Sequence, residues 1–189
     1  MHALVALHTG IDRLNEFIGR ITAWCIVVAI VVSAVNAIAR KFGYSSNSWL
    51  ELQWYLFGAV FMLCAGWTLR CNEHVRVDVL WNMFSERTRA WIDFIGYVCV
   101  LLPFVLIMVW LSWPYLMTAW QTGEHSGQSG GLLIWPARAI IVAGFSLLGL
   151  QALSELIKCV LTLVNHEAYV SSDPQEPTGD MMPLNPGYK

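Results

Sequence analysis

Residues 21–39 read ITAWCIVVAIVVSAVNAIA, without one charged side chain. A helix rises 1.5 Å per residue, and about 20 apolar residues cross the ~30 Å hydrocarbon core of a bilayer. The stretch therefore reads as a transmembrane helix. Ala37-Ile38-Ala39 resembles a signal-peptidase site. However, the segment before the apolar run is long and carries Asp12 and Glu16, and the run has full membrane length, so a retained span is expected.

Three further spans follow, at about 49–69, 92–116 and 135–157. The third is drawn from 94–120, which lacks any charge and would extend about 40 Å as a helix. It must tilt, kink or project, and Pro103 and Pro114 are the candidate kinks. Composition agrees: 57% of the 189 residues are hydrophobic and 13% are charged, against about 25% charged in a soluble domain. The fold class read from this pattern is all-α integral membrane. It has four transmembrane helices and short interfacial amphipathic helices, with a membrane domain over 1–165 and a polar, disordered tail over 166–189.

The connections carry the rest of the information. From residue 11 on, Ile11, Leu14, Phe17, Ile18 and Ile21 recur at spacings of three and four, with Asp12, Arg13, Asn15, Glu16 and Arg20 between them. That is the pattern of an amphipathic helix on the membrane surface, running into the first span. Residues 40–50 form a turn rich in Gly, Ser and Asn with interfacial aromatics. Residues 121–131, QTGEHSGQSGG, read as a flexible polar loop.

Four spans put both termini on one side. That side holds eight basic residues: Arg13, Arg20, Arg70, Arg76, Arg87, Arg89, Lys158 and Lys189. The other holds Arg40, Lys41 and Arg138. The positive-inside rule then predicts cytoplasmic termini.

Chemistry is sparse. The histidines read as loop or tail residues rather than residues within the spans, which argues against bis-histidine haem. Cys25, Cys64, Cys71, Cys99 and Cys159 form no Cys-x-x-Cys pair and read as small apolar fillers. No phosphate loop or nucleophile motif stands out, so no enzyme activity and no cofactor is expected. The net charge of −2 gives no reason to expect nucleic-acid binding. The centres of all four spans are uncharged, whereas ion pathways place ionisable groups at depth.

Three polar sites remain. Ser33, Asn36 and Arg40 share one face of the first span, and Glu51 opens the second at a similar depth. Arg40 and Glu51 are expected to pair or share a network, within this chain or with a partner; the alternative is that each snorkels to water. His74-Val75-Arg76-Val77-Asp78 alternates apolar and charged residues, so it is either a solvated loop or a clamp on a neighbouring helix end. Glu155 and Lys158 read as a local ion pair one turn apart.

In order along the chain, Trp49 and Glu51, then His74-Val75-Arg76-Val77-Asp78, then Arg89-Ala90-Trp91-Ile92-Asp93 flank the second and third spans. Gly130-Gly131-Leu132-Leu133-Ile134-Trp135-Pro136 and the run from Gln151 to Lys158 flank the fourth. This combination, over roughly residues 10–163, resembles the DctQ-like small membrane subunit of tripartite ATP-independent periplasmic (TRAP) transporters. The resemblance implies a subunit of a bacterial inner-membrane, sodium-driven importer of organic acids. Its partners would be a large elevator-type membrane subunit on a separate chain, a periplasmic substrate-binding protein, and phospholipids. Arg40, Trp49, Glu51, His74, Arg76 and Asp78 are the candidate structural or interface residues. Anionic headgroups are expected near Arg70, Arg76, Arg87 and Arg89. The competing reading is a haem- or quinone-linked anchor of a redox enzyme.

Overall fold

The computed structural model describes residues 2–44, 47–71, 86–128 and 130–165. Five α-helices account for nearly all of them: α1 (His2–Lys41), α2 (Asn47–Arg70), α3 (Glu86–Gly96), α4 (Leu102–Thr122) and α5 (Trp135–Asn165). One π-helical turn, Tyr97–Leu101, joins α3 to α4 without a break, so the two form one rod. Among the described residues, four helical stretches are long and apolar enough to cross a membrane: Ala6–Lys41, Asn47–Arg70, Arg87–Thr122 and Trp135–Leu161. The four-span, all-helical architecture expected from the hydrophobic runs is the one observed.

α1 is a single helix of 40 residues, about 60 Å long. The amphipathic start is therefore the first part of the spanning helix, not a separate surface piece. α1 ends in a Schellman arrangement. The Tyr44 amide donates to the Ala39 carbonyl at 3.0 Å and the Gly43 amide to the Arg40 carbonyl at 3.1 Å. Gly43 sits at φ +83°, which glycine adopts without a Cβ clash. Arg40 and Lys41 occupy the last turn, where cations offset the helix dipole.

In the third rod the Leu102 amide reaches back five residues to the Tyr97 carbonyl. Pro103, next in sequence, has no amide to continue the ordinary ladder. The looser π-turn absorbs that loss, as π-bulges inside α-helices do. Pro114 is carried inside α4, where the Thr118 hydroxyl donates to its carbonyl at 2.9 Å.

α5 is the axis of the bundle. It packs against α1, α2, α3, the π-turn and α4, while α1 and α2 also pack on each other. α2 runs parallel to α5, and α1 and α4 run antiparallel to it. Glycines permit the closest approaches. A Cβ on Gly144 would lie 2.7 Å from the Met62 Cβ, and one on Gly66 would lie 2.4 Å from the Asn15 Oδ1.

The distribution of polarity is inverted relative to a water-soluble protein. The largest fully buried side chains are Gln151, Glu155, Asn15 and Ser154. Phe61, Trp54 and Trp110 point outward, each more than three-quarters exposed. An apolar exterior of this extent is stable only against lipid or another apolar surface.

Candidate functional site

The polar side chains gather at the two ends of α5. At its C-terminal end, Gln151, Ser154, Glu155 and Lys158 follow the i, i+3, i+4, i+7 spacing of one helix face. They meet Asp12 and Asn15 of α1, which share one face of that helix with Glu16. Arg70 closes the cluster from the end of α2.

Lys158 Nζ lies 2.8 Å from Asp12 Oδ2 and 2.7 Å from Glu155 Oε1. Gln151 Nε2 donates to Asp12 Oδ1 at 2.8 Å and to Glu155 Oε1 at 2.9 Å. Gln151 Oε1 accepts from Asn15 Nδ2 at 3.0 Å, and the Ser154 hydroxyl donates to Asp12 Oδ1 at 2.7 Å. Arg70 binds the Glu16 carboxylate, and Arg20 binds it from the more exposed side. Three carboxylates thus face three cations, with Gln151 bridging two of the acids. Removing Lys158, Asp12 or Glu155 would strand a charged partner in a poorly solvated site, the costliest outcome for a buried polar network.

This arrangement differs from the sequence expectation in two ways. On the first turns of α1 the polar side was expected to face water; instead Asn15 is 0% exposed and Phe17 63% exposed. Because lipid surrounds the bundle, the apolar stripe turns outward and the polar stripe finds partners inside. Glu155 and Lys158 do pair locally, but they also tie α5 to α1. The signal available in the sequence was the shared helical spacing of the two polar stripes, on helices otherwise apolar. Arg70 has its guanidinium engaged by Glu16 and lies 4.0 Å from Asp12.

At the N-terminal end of α5, a second cluster organises the connection from α4. Gly123, at φ +59°, ends α4 and turns the chain. The Ser126 amide donates to the Leu132 carbonyl at 2.9 Å, and the Ile134 amide to the Glu124 carbonyl at 3.0 Å. His125 and Leu133 form an isolated antiparallel bridge. Three side chains of α2 hold this turn. Glu51 Oε2 accepts from the Leu132 amide at 2.7 Å, Tyr55 donates to the Leu133 carbonyl at 3.1 Å, and Ser48 donates to the Gly130 carbonyl. The segment read as a flexible loop is a tied one, because its backbone groups are satisfied internally and by α2.

Arg138 secures the other side of this cluster. It is buried, its Nη2 lies 2.9 Å from Glu124 Oε2, and its Nη1 donates to the Tyr115 carbonyl at 3.0 Å. Its guanidinium also stacks 3.6 Å from the centre of the Tyr115 ring. Trp120 and Trp135 meet edge to face at 4.7 Å beside it. Arg138 entered the sequence reading only as a charge to be counted; its partners are 14 and 23 residues away, and no local spacing reveals them.

Of the six candidate residues, Glu51 holds the α4–α5 turn and Trp49 stands half-exposed at the start of α2. Arg40 is exposed at the end of α1 and makes no ion pair among the described residues, so the structure does not bring it to Glu51 within this chain. Ser33 donates to its own helix at the Ala29 carbonyl, 2.7 Å away, and Asn36 is buried. His74, Arg76 and Asp78 lie outside the described residues, as does the tail over 166–189. Among the described residues no group of three or more His, Cys, Asp or Glu could hold a metal ion.

A family model described as "Tripartite ATP-independent periplasmic transporters, DctQ component" matches residues 28–162. No curated protein and no solved structure matches the chain. The match takes in Glu51, Arg70, Arg138 and the polar face of α5, and it starts after Asp12, Asn15 and Glu16.

Proposed function

The chain belongs to the DctQ family of TRAP transporter components, and from that premise we propose that it is the static scaffold of a sodium-coupled importer of organic acids in a bacterial inner membrane. Its task in this reading is to hold a large elevator-type subunit and to help dock a periplasmic substrate-binding protein. It performs no chemistry itself.

One observation carries the scaffold role: the polar groups are spent at both ends of the bundle on holding α1, α2, α4 and α5 together. The span centres have no ionisable residue with which to bind and release a coupling ion. A moving or ion-carrying element needs the opposite arrangement. Both termini are assigned to the cytoplasm by the basic-residue bias, which puts the Lys158 cluster inside and the Glu51–Arg138 cluster on the periplasmic side. Arg40, exposed and without an ion pair among the described residues, and Trp49 beside the tied turn are then available to partners on that side. The exposed apolar flanks are covered by the large subunit and by phospholipids.

Co-expression with a TRAP transporter large subunit, mild-detergent purification and mass identification test this. A large polytopic partner, and organic-acid uptake that needs both chains and a sodium gradient, are expected. Co-purification of a flavin or molybdenum subunit instead would overturn the proposal.

A further inference from the structure

The third rod does not close its own hydrogen-bond count across the π-turn. The Leu102 amide donates to the Tyr97 carbonyl, five residues back. Pro103 has no amide. In α4 the four-residue step resumes, so the Val105 amide faces the Leu101 carbonyl. The carbonyls of Val98, Cys99 and Val100 are left with one amide between them, that of Phe104. A bifurcated bond serves two carbonyls, so at least one of the three has no main-chain donor. No side chain among the described residues donates to them.

These carbonyls sit where hydrocarbon offers nothing to bind. Asp93 is the last charged residue before them and Glu124 the next after them. Residues 98–100 lie five to seven positions beyond Asp93, about 7.5–10 Å along the helix. Val98, Cys99 and Val100 are exposed, and so are Pro103 and Phe104 one turn on. Acyl chains carry no donor, and a backbone group left unsatisfied at that depth is costly. Beside the carbonyls runs a groove of about 460 Å³, between the end of α2 and the rod. Leu69 and Tyr97 form its buried base, and Val100 and Phe104 line its rim. Gly96 holds it open, since a Cβ there would meet nothing within 4 Å. The Val100 carbonyl points along the helix toward Phe104, which places it at the edge of the groove. Hydrocarbon suits the groove but not the carbonyl. A side chain with an apolar body and an N–H or O–H tip suits both.

We propose that this face of the rod seats a transmembrane helix of the large subunit, one of whose side chains fills the groove and donates an N–H or O–H to the 98–100 carbonyls. The proposal rests on the scaffold reading given above and names the flank at which the partner sits. Lipid does not meet the demand, because headgroup donors stay at the interface while the acceptors lie below it. A donor at that depth comes from another membrane-embedded chain, as in hydrogen bonds between transmembrane helices.

The test measures the full chain alone and with a TRAP transporter large subunit, both in mild detergent. Pro103→Ala restores the missing amide and removes the need for an outside donor. The chain alone should then unfold at a higher temperature. Its affinity for the large subunit should fall about threefold to thirtyfold, the range for one hydrogen bond between membrane helices. These opposite signs separate a partner contact from a purely structural role, which would move both readings together. Gly96→Leu fills the groove with a better helix former, so the chain should fold and bind about tenfold more weakly. Wild-type affinity in either variant would overturn the seat, as would a chain that Pro103→Ala destabilises on its own. A wild-type chain that dimerises by itself and becomes monomeric on Gly96→Leu would assign the face to a second copy and overturn the seat too. No binding of the large subunit by the wild type would sink the scaffold reading and the seat with it, whereas binding that survives both substitutions sinks the seat alone.

Discussion

The two ends of α5 use polar residues differently. Around Lys158 the contacts run from side chain to side chain across helices, and the groups are buried. Around Glu51 they run from side chain to the backbone of one connection, and Glu124 is nearly half exposed. The first arrangement fixes the register of α1 against α5, since sliding either helix would separate several charged partners at once. The second fixes the shape of a turn, and across helices it adds the tie of Arg138 in α5 to Tyr115 in α4. Similar residue types therefore do different work according to how completely water is excluded.

Lys158→Ala tests the difference most severely. It leaves Asp12 and Glu155 buried without their ammonium, a loss of about 3–5 kcal/mol for a buried pair. Thermal unfolding in detergent should show it as the least stable variant of this group. If it unfolds no earlier than Arg138→Ala, the claim that the Lys158 end is the tighter lock fails. Arg138→Ala removes a stacked, hydrogen-bonded cation whose acid partner can turn to water, so about 1.5–3 kcal/mol is expected.

Gly66→Ala separates packing from charge at the Lys158 end. It presses on Asn15 while every ionic group stays, and should cost about 1–3 kcal/mol. A neutral result would mean that Asn15 is free to move and is not part of the register lock. Glu51→Gln is the mildest change. It keeps an acceptor for the Leu132 amide and removes the charge, so global unfolding should barely move. Hydrogen exchange at Leu132 should still quicken relative to wild type, while exchange along α1 stays unchanged. Faster exchange in α1 would show that the two ends are coupled rather than separate.

Much of the architecture is legible in sequence because hydropathy adds along the chain. Uncharged runs of membrane length mark spans whatever they pack against, and Trp49 and Glu51 mark where the second begins. The clusters were harder to see. Glu155 and Lys158 are neighbours in sequence and were visible as a pair. Asp12 is 139 residues from Gln151, and its polarity suggested water. The 121–131 segment read as mobile because glycine, serine and glutamine are loop formers, yet the side chains of α2 that tie it lie about 80 residues earlier.

The sequence alone determined that this protein lives in a bilayer, how many times it crosses, and, through the order of its motifs, which transporter family it resembles. Those properties depend on sums over contiguous residues. Tertiary structure decided which way each polar stripe faces, and that Arg70 and Arg138 have partners within this chain while Arg40 lacks an ion-pair partner among the described residues. These depend on the rotation of each helix about its axis. That rotation is set by where glycines let helices approach and where buried charges find their opposites, neither of which is written in any one stretch of chain.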